Sequence, residues 1–374
     1  MKEAVEARVF VLDAPGGLPR ELPLAQAGAQ AGVAAAAPGD WPALTAALRA
    51  QGAAAVLVRA AAPGAMRCWI DAAHARGWVT PVEGGDIGSD DMLAGWKVHL
   101  AAGHVPVDAA LLACPTLPML SWGDPAGVAI TQADVQARAV RATAEPALGL
   151  YAIVDTAAAL RNVLEAGVRT VQLRVKRPAD ADAAWTAGLR REVRDSLAAA
   201  AGHGARLFIN DHWRLAAELG AGAVHLGQED LLALGEQGHA EFRATGLALG
   251  VSSHAVWELC RARSLAPAYV ACGPVWPTTT KNMPWRPQGL DNLAWWCRVA
   301  DAPVVAIGGI LTPEQVRQTT ATGASGVCVL RGLGSDPRLT VAALQQAFEN
   351  GRQEAQAHAG QAVALLHPTL GPAA

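Results

Sequence analysis

Four of the chain's 30 basic residues are lysines: Lys2, Lys97, Lys176 and Lys281. A chain that uses arginine for generic positive charge keeps a lysine where a compact ammonium matters, unless four lysines have simply fallen at random. Lys176 closes the run Gln172-Leu173-Arg174-Val175-Lys176. In an extended segment Gln172 and Arg174 share one face, while Val171 and Leu173 take the other. An amide and two cations on one strand end suit phosphoryl oxygens. An internal salt bridge is the competing use of the same residues.

Two carboxylates follow at comparable places, in Ile209-Asn210-Asp211 and in His225-Leu226-Gly227-Gln228-Glu229-Asp230. As a pair, Asp211 and Asp230 suit a hard divalent cation that keeps some waters and completes its shell with phosphate oxygens. Each alone is also what a helix N-cap requires. His225 lies in the same segment, either facing the site or satisfied in the core. Ser252, in Gly250-Val251-Ser252-Ser253-His254, either donates to an anion or caps the next helix. The run from Gly273 through Thr278, Thr280 and Lys281 to Gly289 has the Pro and Gly content of a loop able to close over a phosphorylated ligand. Gly308 and Gly309, then Leu330 and Arg331, end the last two candidate strands and offer backbone N–H groups to a second anion.

These residues need a frame that brings strand ends together. From about residue 148 the chain alternates short apolar runs with amphipathic ones eight times. The strand candidates are 148–154, 170–174, 206–210, 223–226, 247–251, 269–273, 304–307 and 326–330. Near-continuous Val, Ile and Leu mark strands covered on both faces. Helices are expected between them, for example over 182–201, 254–265 and 313–322. Eight units in about 200 residues predict a (β/α)8 TIM barrel, with its site at the carboxyl ends of the strands. An open doubly wound sheet would want a glycine fingerprint after its first strand, and Tyr151-Ala152-Ile153-Val154-Asp155-Thr156 has none.

The composition is that of a globular protein, 52% hydrophobic and 17% charged. A net charge of -3 argues against a nucleic-acid binder held by a basic field. The acidic amino terminus does not read as a secretory signal, and the Ala-rich run around Val33 to Ala37 is short and meets Pro38, which rules it out as a membrane span. Six scattered cysteines, none in a C-x-x-C, read as reduced thiols of a cytoplasmic protein. Residues 1–149 hold 10 basic and 14 acidic side chains, a net of -4, against 20 and 19 in 150–374, a net of +1. The second part is the expected host for anions.

With these residues in place, the segment from about 148 to 348 resembles thiamine-phosphate synthase. The resemblance rests on Gln172-x-Arg174-x-Lys176, Ile209-Asn210-Asp211, His225 to Asp230, Gly250-Val251-Ser252, Thr278-x-Thr280-Lys281 and Ala306 to Ile310. It implies that hydroxymethylpyrimidine diphosphate loses diphosphate and is joined to the ring nitrogen of a thiazole phosphate. It further implies that Asp211 and Asp230 hold Mg2+, and that Gln172, Arg174, Lys176 and Asn210 bind the pyrimidine diphosphate. Ser252 and Lys281 would meet the pyrimidine or the leaving group, and Arg174 and Lys176 would join them in catalysis. Thr278 and Thr280 would lie on the thiazole side, and Gly308, Gly309, Leu330 and Arg331 would take its phosphate. Arg331 stands where relatives commonly have serine, and His212 where they commonly have arginine. A non-joining relative, such as a thiazole tautomerase or a regulatory barrel, is the alternative. Partners are then small molecules, not nucleic acid or membrane, and a homo-oligomer is compatible with this reading.

Residues 1–130 are expected to form a smaller α/β domain, with strands over 8–12, 54–58 and 78–82 and helices over 41–49 and 66–76. A linker helix is expected within 131–147, over Gln132 to Thr143, with a stop at Pro146, and a tail over 351–374. Trp122 to Gly127 could form an anion-binding turn, but residues 1–145 are too few for a complete sugar-kinase-like fold and lack a nucleotide loop, so a remnant or an interaction domain is expected there.

Overall fold

The structure is a computed structural model that describes residues 7–15, 17–35, 37–62, 65–80, 89–121, 147–278, 284–357, 363–365 and 367–370. They fall into two compact units. The first comprises the described residues within Met1–Arg138, with Ala255–Leu265 and those within His367–Ala374; the second comprises those within Ala139–His254 and Ala266–Leu366. Among the described residues no helix is long and apolar enough to cross a membrane.

The first unit is built on a six-stranded antiparallel sheet of order β2-β1-β3-β4-β5-β6. Its strands are β1 (Ala7–Leu12), β2 (Arg20–Pro23), β3 (Ala55–Ala62), β4 (Ala65–Ala72), β5 (Arg76–Thr80) and β6 (Met119–Ser121). Helices α1 (Leu24–Ala31), α2 (Trp41–Ala50), α3 (Ser89–Ala101) and α4 (Pro106–Leu112) complete it. Val9, Val11, Val56, Val58, Trp69 and Trp78 bury one sheet face against Trp41, Leu44 and Leu48 of α2. The helix expected over 66–76 is instead β4, a turn closed by the Ala72 N–H bonding the Ala75 carbonyl, and the start of β5. Its Ala, Met and Arg content favours a helix locally, but pairing of Cys68 with Arg59 on β3 and with Val79 on β5 overrides that preference. The linker helix over Gln132 to Thr143, its stop at Pro146 and the turn from Trp122 to Gly127 lie outside the described residues.

In the second unit eight parallel strands close into a barrel of order β10-β11-β12-β13-β14-β7-β8-β9. They are β7 (Gly149–Val154), β8 (Thr170–Leu173), β9 (Arg206–Asn210), β10 (Ala223–Leu226), β11 (Ala248–Ser253), β12 (Tyr269–Cys272), β13 (Val304–Ala306) and β14 (Gly326–Val329). Each expected strand is present, with ends displaced by at most two residues. Between them run α5 (Ala157–Glu165), α6 (Ala183–Gly202), α7 (Trp213–Glu218), α8 (Gln228–Ala244), α9 (Val256–Ser264), α10 (Gly289–Val299) and α11 (Pro313–Ala321), and α12 (Val341–Ala357) follows the last strand. Asp182, Thr156 and Thr312 cap α6, α5 and α11 through side-chain oxygens that accept backbone N–H bonds. The period of two sends Tyr151, Phe208, Tyr269, Ala271, Val305 and Cys328 into the barrel interior as one packed cluster. On the same faces, nearer the carboxyl ends, stand Gln172, Asn210, His225 and Ser252.

Helix α9 follows barrel strand β11 in the chain but belongs to the first unit. Asp108 of α4 accepts a 2.8 Å bond from the Trp257 N–H, and Arg263 donates to the carbonyls of Leu117 and Pro118. Every residue from Val256 to Arg263 is buried, including Glu258 and Arg261.

Candidate active site

The acid and base groups gather around the end of β9. Asp211 has φ 64, in the left-handed region that aspartate tolerates better than most residues. The Trp213 N–H bonds the Asp211 carbonyl, and the Asp211 N–H bonds the His225 carbonyl on β10. His212, not Asp211, occupies the N-cap position of α7, so the Asp211 carboxylate is not a cap. It accepts a 2.5 Å bond from the Lys176 ammonium, which arrives from the end of β8.

Asp230 does serve as a cap in part, because its carboxylate accepts the Gly227 N–H at 2.9 Å where α8 begins. Its proton affinity is nevertheless raised above that of an ordinary aspartate. Burial is the largest cause, and the Asp211 charge and a hydrogen bond between the two carboxyl groups add to it. The Gly227 N–H and Lys176 act in the opposite direction. Two carboxyl groups set beside an ammonium form a hard oxygen pair that a divalent cation would suit. Among the described residues no group of three or more His, Cys, Asp or Glu gathers as a metal site, so further ligands would come from water or substrate.

Below this rim a hydrogen-bonded chain crosses the barrel interior. The Gln172 amide donates to the Tyr151 hydroxyl at 3.2 Å, and the Tyr151 and Tyr269 hydroxyls lie 2.7 Å apart. Tyr269 meets His225 Nδ1 at 2.7 Å, and His225 Nε2 meets Ser252 Oγ at 2.8 Å. Burial above all pushes the His225 pKa down to about 4, so the ring is uncharged at neutral pH. Burial also raises the pKa of both tyrosines, which stay protonated. A neutral ring donates through one nitrogen and accepts through the other. One direction leaves no buried hydroxyl proton unpaired: Gln172 to Tyr151, Tyr151 to Tyr269, Tyr269 to Nδ1, and Nε2–H to Ser252. The Ser252 hydroxyl then keeps its own proton for a ligand.

Ser252 does not cap the next helix, since α9 has no side-chain cap. Gln228 holds the neighbouring backbone instead, donating to the Ser252 carbonyl at 3.0 Å and to Ser253 Oγ at 3.2 Å. Gly250 is required in this layer, because a Cβ there would stand 2.3 Å from the Tyr269 ring.

The remaining predicted residues surround the same opening. Arg174 is exposed at the end of β8, and with Lys176 it helps to keep His225 uncharged. Asn210 is buried, and its amide nitrogen finds no hydrogen-bond partner among the described residues. Thr278 is half-buried after β12, while Thr280 and Lys281 lie outside the described residues. The returning side of that loop is anchored: the Trp285 ring stacks on His254 at 5.3 Å, and Gln288 donates to the His254 carbonyl.

Gly308 and Gly309 have φ of 99 and 74, and a Cβ on either would strike Pro274 or Trp276. Both glycines therefore let the loop after β12 lie against the loop after β13, which the Trp276 N–H bond to the Gly308 carbonyl secures. Leu330 and Arg331 are exposed beyond β14. Sequence reasoning missed Tyr151 and Tyr269 as site residues. Their signal was rarity, because the chain contains only these two tyrosines.

A family model described as thiamine monophosphate synthase matches residues 150–333. The thiamine-phosphate synthase of Neisseria meningitidis serogroup A is 44% identical over 205 residues, covering 54% of this chain and 95% of the relative. That of Rhizobium etli is 44% identical over 189 residues, covering 50% and 87%. A solved thiamine phosphate pyrophosphorylase from Pyrococcus furiosus aligns with 55% of this chain and 96% of its own, at 27% identity and a TM-score of 0.47.

Proposed function

Because the chain belongs to the thiamine-phosphate synthase family, we propose that its barrel joins hydroxymethylpyrimidine diphosphate to hydroxyethylthiazole phosphate, releasing diphosphate. The observation that carries this reading is the Lys176–Asp211 contact beside Asp230, at the mouth of a barrel whose polar interior ends at Ser252. An isomerising or regulatory barrel has no leaving diphosphate and gains little from two carboxylates set against an ammonium.

In this reading the bond between the pyrimidine methylene carbon and the diphosphate oxygen breaks, and its electron pair leaves with diphosphate. The lone pair of the thiazole ring nitrogen then forms the new C–N bond. No proton is lost in the joining, so no general base is required. Mg2+, held by Asp211 and Asp230, would neutralise charge on the departing diphosphate. Arg174 and Lys176 bind its oxygens from β8, and Lys281 does so from the loop after β12. Gln172 and Asn210 orient the pyrimidine, and the Asn210 amide, which has no partner among the described residues, is the donor offered to it. Ser252 donates its remaining proton to the pyrimidine or the leaving group. Thr278 and Thr280 flank the thiazole, whose phosphate rests on Gly308, Gly309 and the backbone of Leu330 and Arg331. Excluding water from the cationic carbon is the role expected of the segment that carries Lys281. All six cysteines are free thiols, which suits a cytoplasmic setting.

The test is direct. The purified protein, given both substrates and Mg2+, is expected to form thiamine phosphate and diphosphate in equal amounts. No product under conditions where a known synthase turns over would overturn the reading.

A further inference from the structure

The ladder between β7 and β8 ends where the Arg174 N–H bonds the Val154 carbonyl, and beyond it Val175 and Lys176 run without regular structure. Two consecutive residues from the end of β9 close on this segment. Asp211 takes the Lys176 ammonium, and His212 Nε2 lies 2.8 Å from the Val175 carbonyl oxygen. A carbonyl can only accept, so Nε2 carries the proton in this contact. In a strand two successive side chains would point to opposite faces. Here the left-handed Asp211, together with the Trp213 N–H bond to the Asp211 carbonyl and the His212 N–H bond to the Asn210 carbonyl, turns both toward one target.

The His212 ring is held in its turn. It meets the Trp185 ring of α6 edge-on at 5.8 Å, and the Arg177 guanidinium lies 5.6 Å from the Trp185 centroid. Arg177 follows Lys176 directly, so the exposed segment is gripped on either side of the lysine: at Val175 by a hydrogen bond, and at Arg177 through the tryptophan that packs on the same histidine.

We propose that His212 is a positioning residue for Lys176. It fixes the Val175 backbone so that the ammonium stands at the diphosphate position before substrate arrives, sparing the loop-ordering entropy that binding would otherwise cost. This inference rests on the diphosphate-releasing reading for its substrate, but not for its geometry.

Two variants separate the bond from the packing. H212F keeps an aromatic ring against Trp185 and removes the donor, whereas H212Q keeps a donor of similar reach. H212F is expected to raise KM for the pyrimidine diphosphate about tenfold while leaving KM for the thiazole phosphate unchanged, and H212Q to recover most of the loss. Binding of inorganic diphosphate with Mg2+, measured calorimetrically on the full chain, should weaken by a similar factor in H212F. This reading does not depend on turnover. A wild type that binds diphosphate but makes no thiamine phosphate would sink the proposed function while leaving His212 testable. Diphosphate affinity in H212F within twofold of wild type, or H212Q as impaired as H212F, would overturn the positioning role.

Discussion

Asp108 of the first unit and Asp230 of the barrel each accept a backbone N–H at a helix start and hold their proton more tightly than an exposed aspartate. Burial is the leading cause in both. Their surroundings differ. Asp108 is wholly buried, with one oxygen taken by the Trp257 N–H and the other facing the Thr369 hydroxyl at 3.4 Å, so its bonds fasten α9 and the carboxyl-terminal segment. Asp230 is half-buried, facing a second carboxyl group and an ammonium, close to strand ends that carry an amide with no partner among the described residues. A tightly held proton therefore does not by itself mark a site. Opposed charges gathered at an opening, with a donor left over, do so better.

The largest expected break in this comparison is Asp230→Ala. As part of the reacting site it should lower kcat by at least ~100-fold, the scale of removing one group that stabilises transition-state charge. As a cap alone it would cost about 1 kcal/mol of stability and leave turnover near normal. Steady-state kinetics and a melting curve on the same preparation distinguish the two.

Tyr269→Phe cuts the interior chain in its middle, leaving the Tyr151 proton and His225 Nδ1 without their partner. The expected cost is about 1–3 kcal/mol in denaturant unfolding, with a smaller loss of kcat/KM, roughly tenfold, as Ser252 loses its fixed orientation. An unfolding curve that matches wild type would show that the chain is not a mechanical unit.

Asp108→Asn should have the smallest effect and appear in pH dependence. The folded carboxyl keeps its proton up to about pH 7, while the unfolded one releases it near ~4. The stability linked to this group is therefore present at low pH and lost as pH rises through 7. Asparagine removes that loss, so Tm of the variant minus Tm of wild type should increase by at least ~2 °C from pH 5 to pH 8. A difference independent of pH would place the titration elsewhere.

The barrel was legible because its evidence is local. Each strand is a short Val-, Ile- and Leu-rich run, and each polar motif follows one within a few residues. That is why Lys176, Asp211 and Asp230 could be placed at strand ends before their contacts were known. What escaped depends on contacts remote in sequence. Tyr151 and Tyr269 meet across 118 residues, and a lone tyrosine in an apolar strand looks like any core aromatic. The segment over 66–76 failed for the same reason, since its strand identity is set by β3 and β5 and its own composition favours helix. His212 was noticed as a departure from the family, but its bond to Val175 requires the left-handed turn at Asp211, which the sequence does not announce.

The membership of α9 in the first unit bears on how the protein is made. The strands of that unit are all synthesised by residue 121, yet Trp257, which bonds Asp108, and Arg263, which bonds Leu117 and Pro118, arrive more than 130 residues later, and Thr369 later still. A growing chain commonly completes its leading domain while the rest is still being translated. Here the leading unit must wait with the Asp108 carboxyl and the seat of α9 uncovered, until five barrel strands have left the ribosome. Completion of the first unit therefore waits on synthesis of the barrel strands that precede α9 in the chain, and a chain stalled before residue 255 would lack that helix.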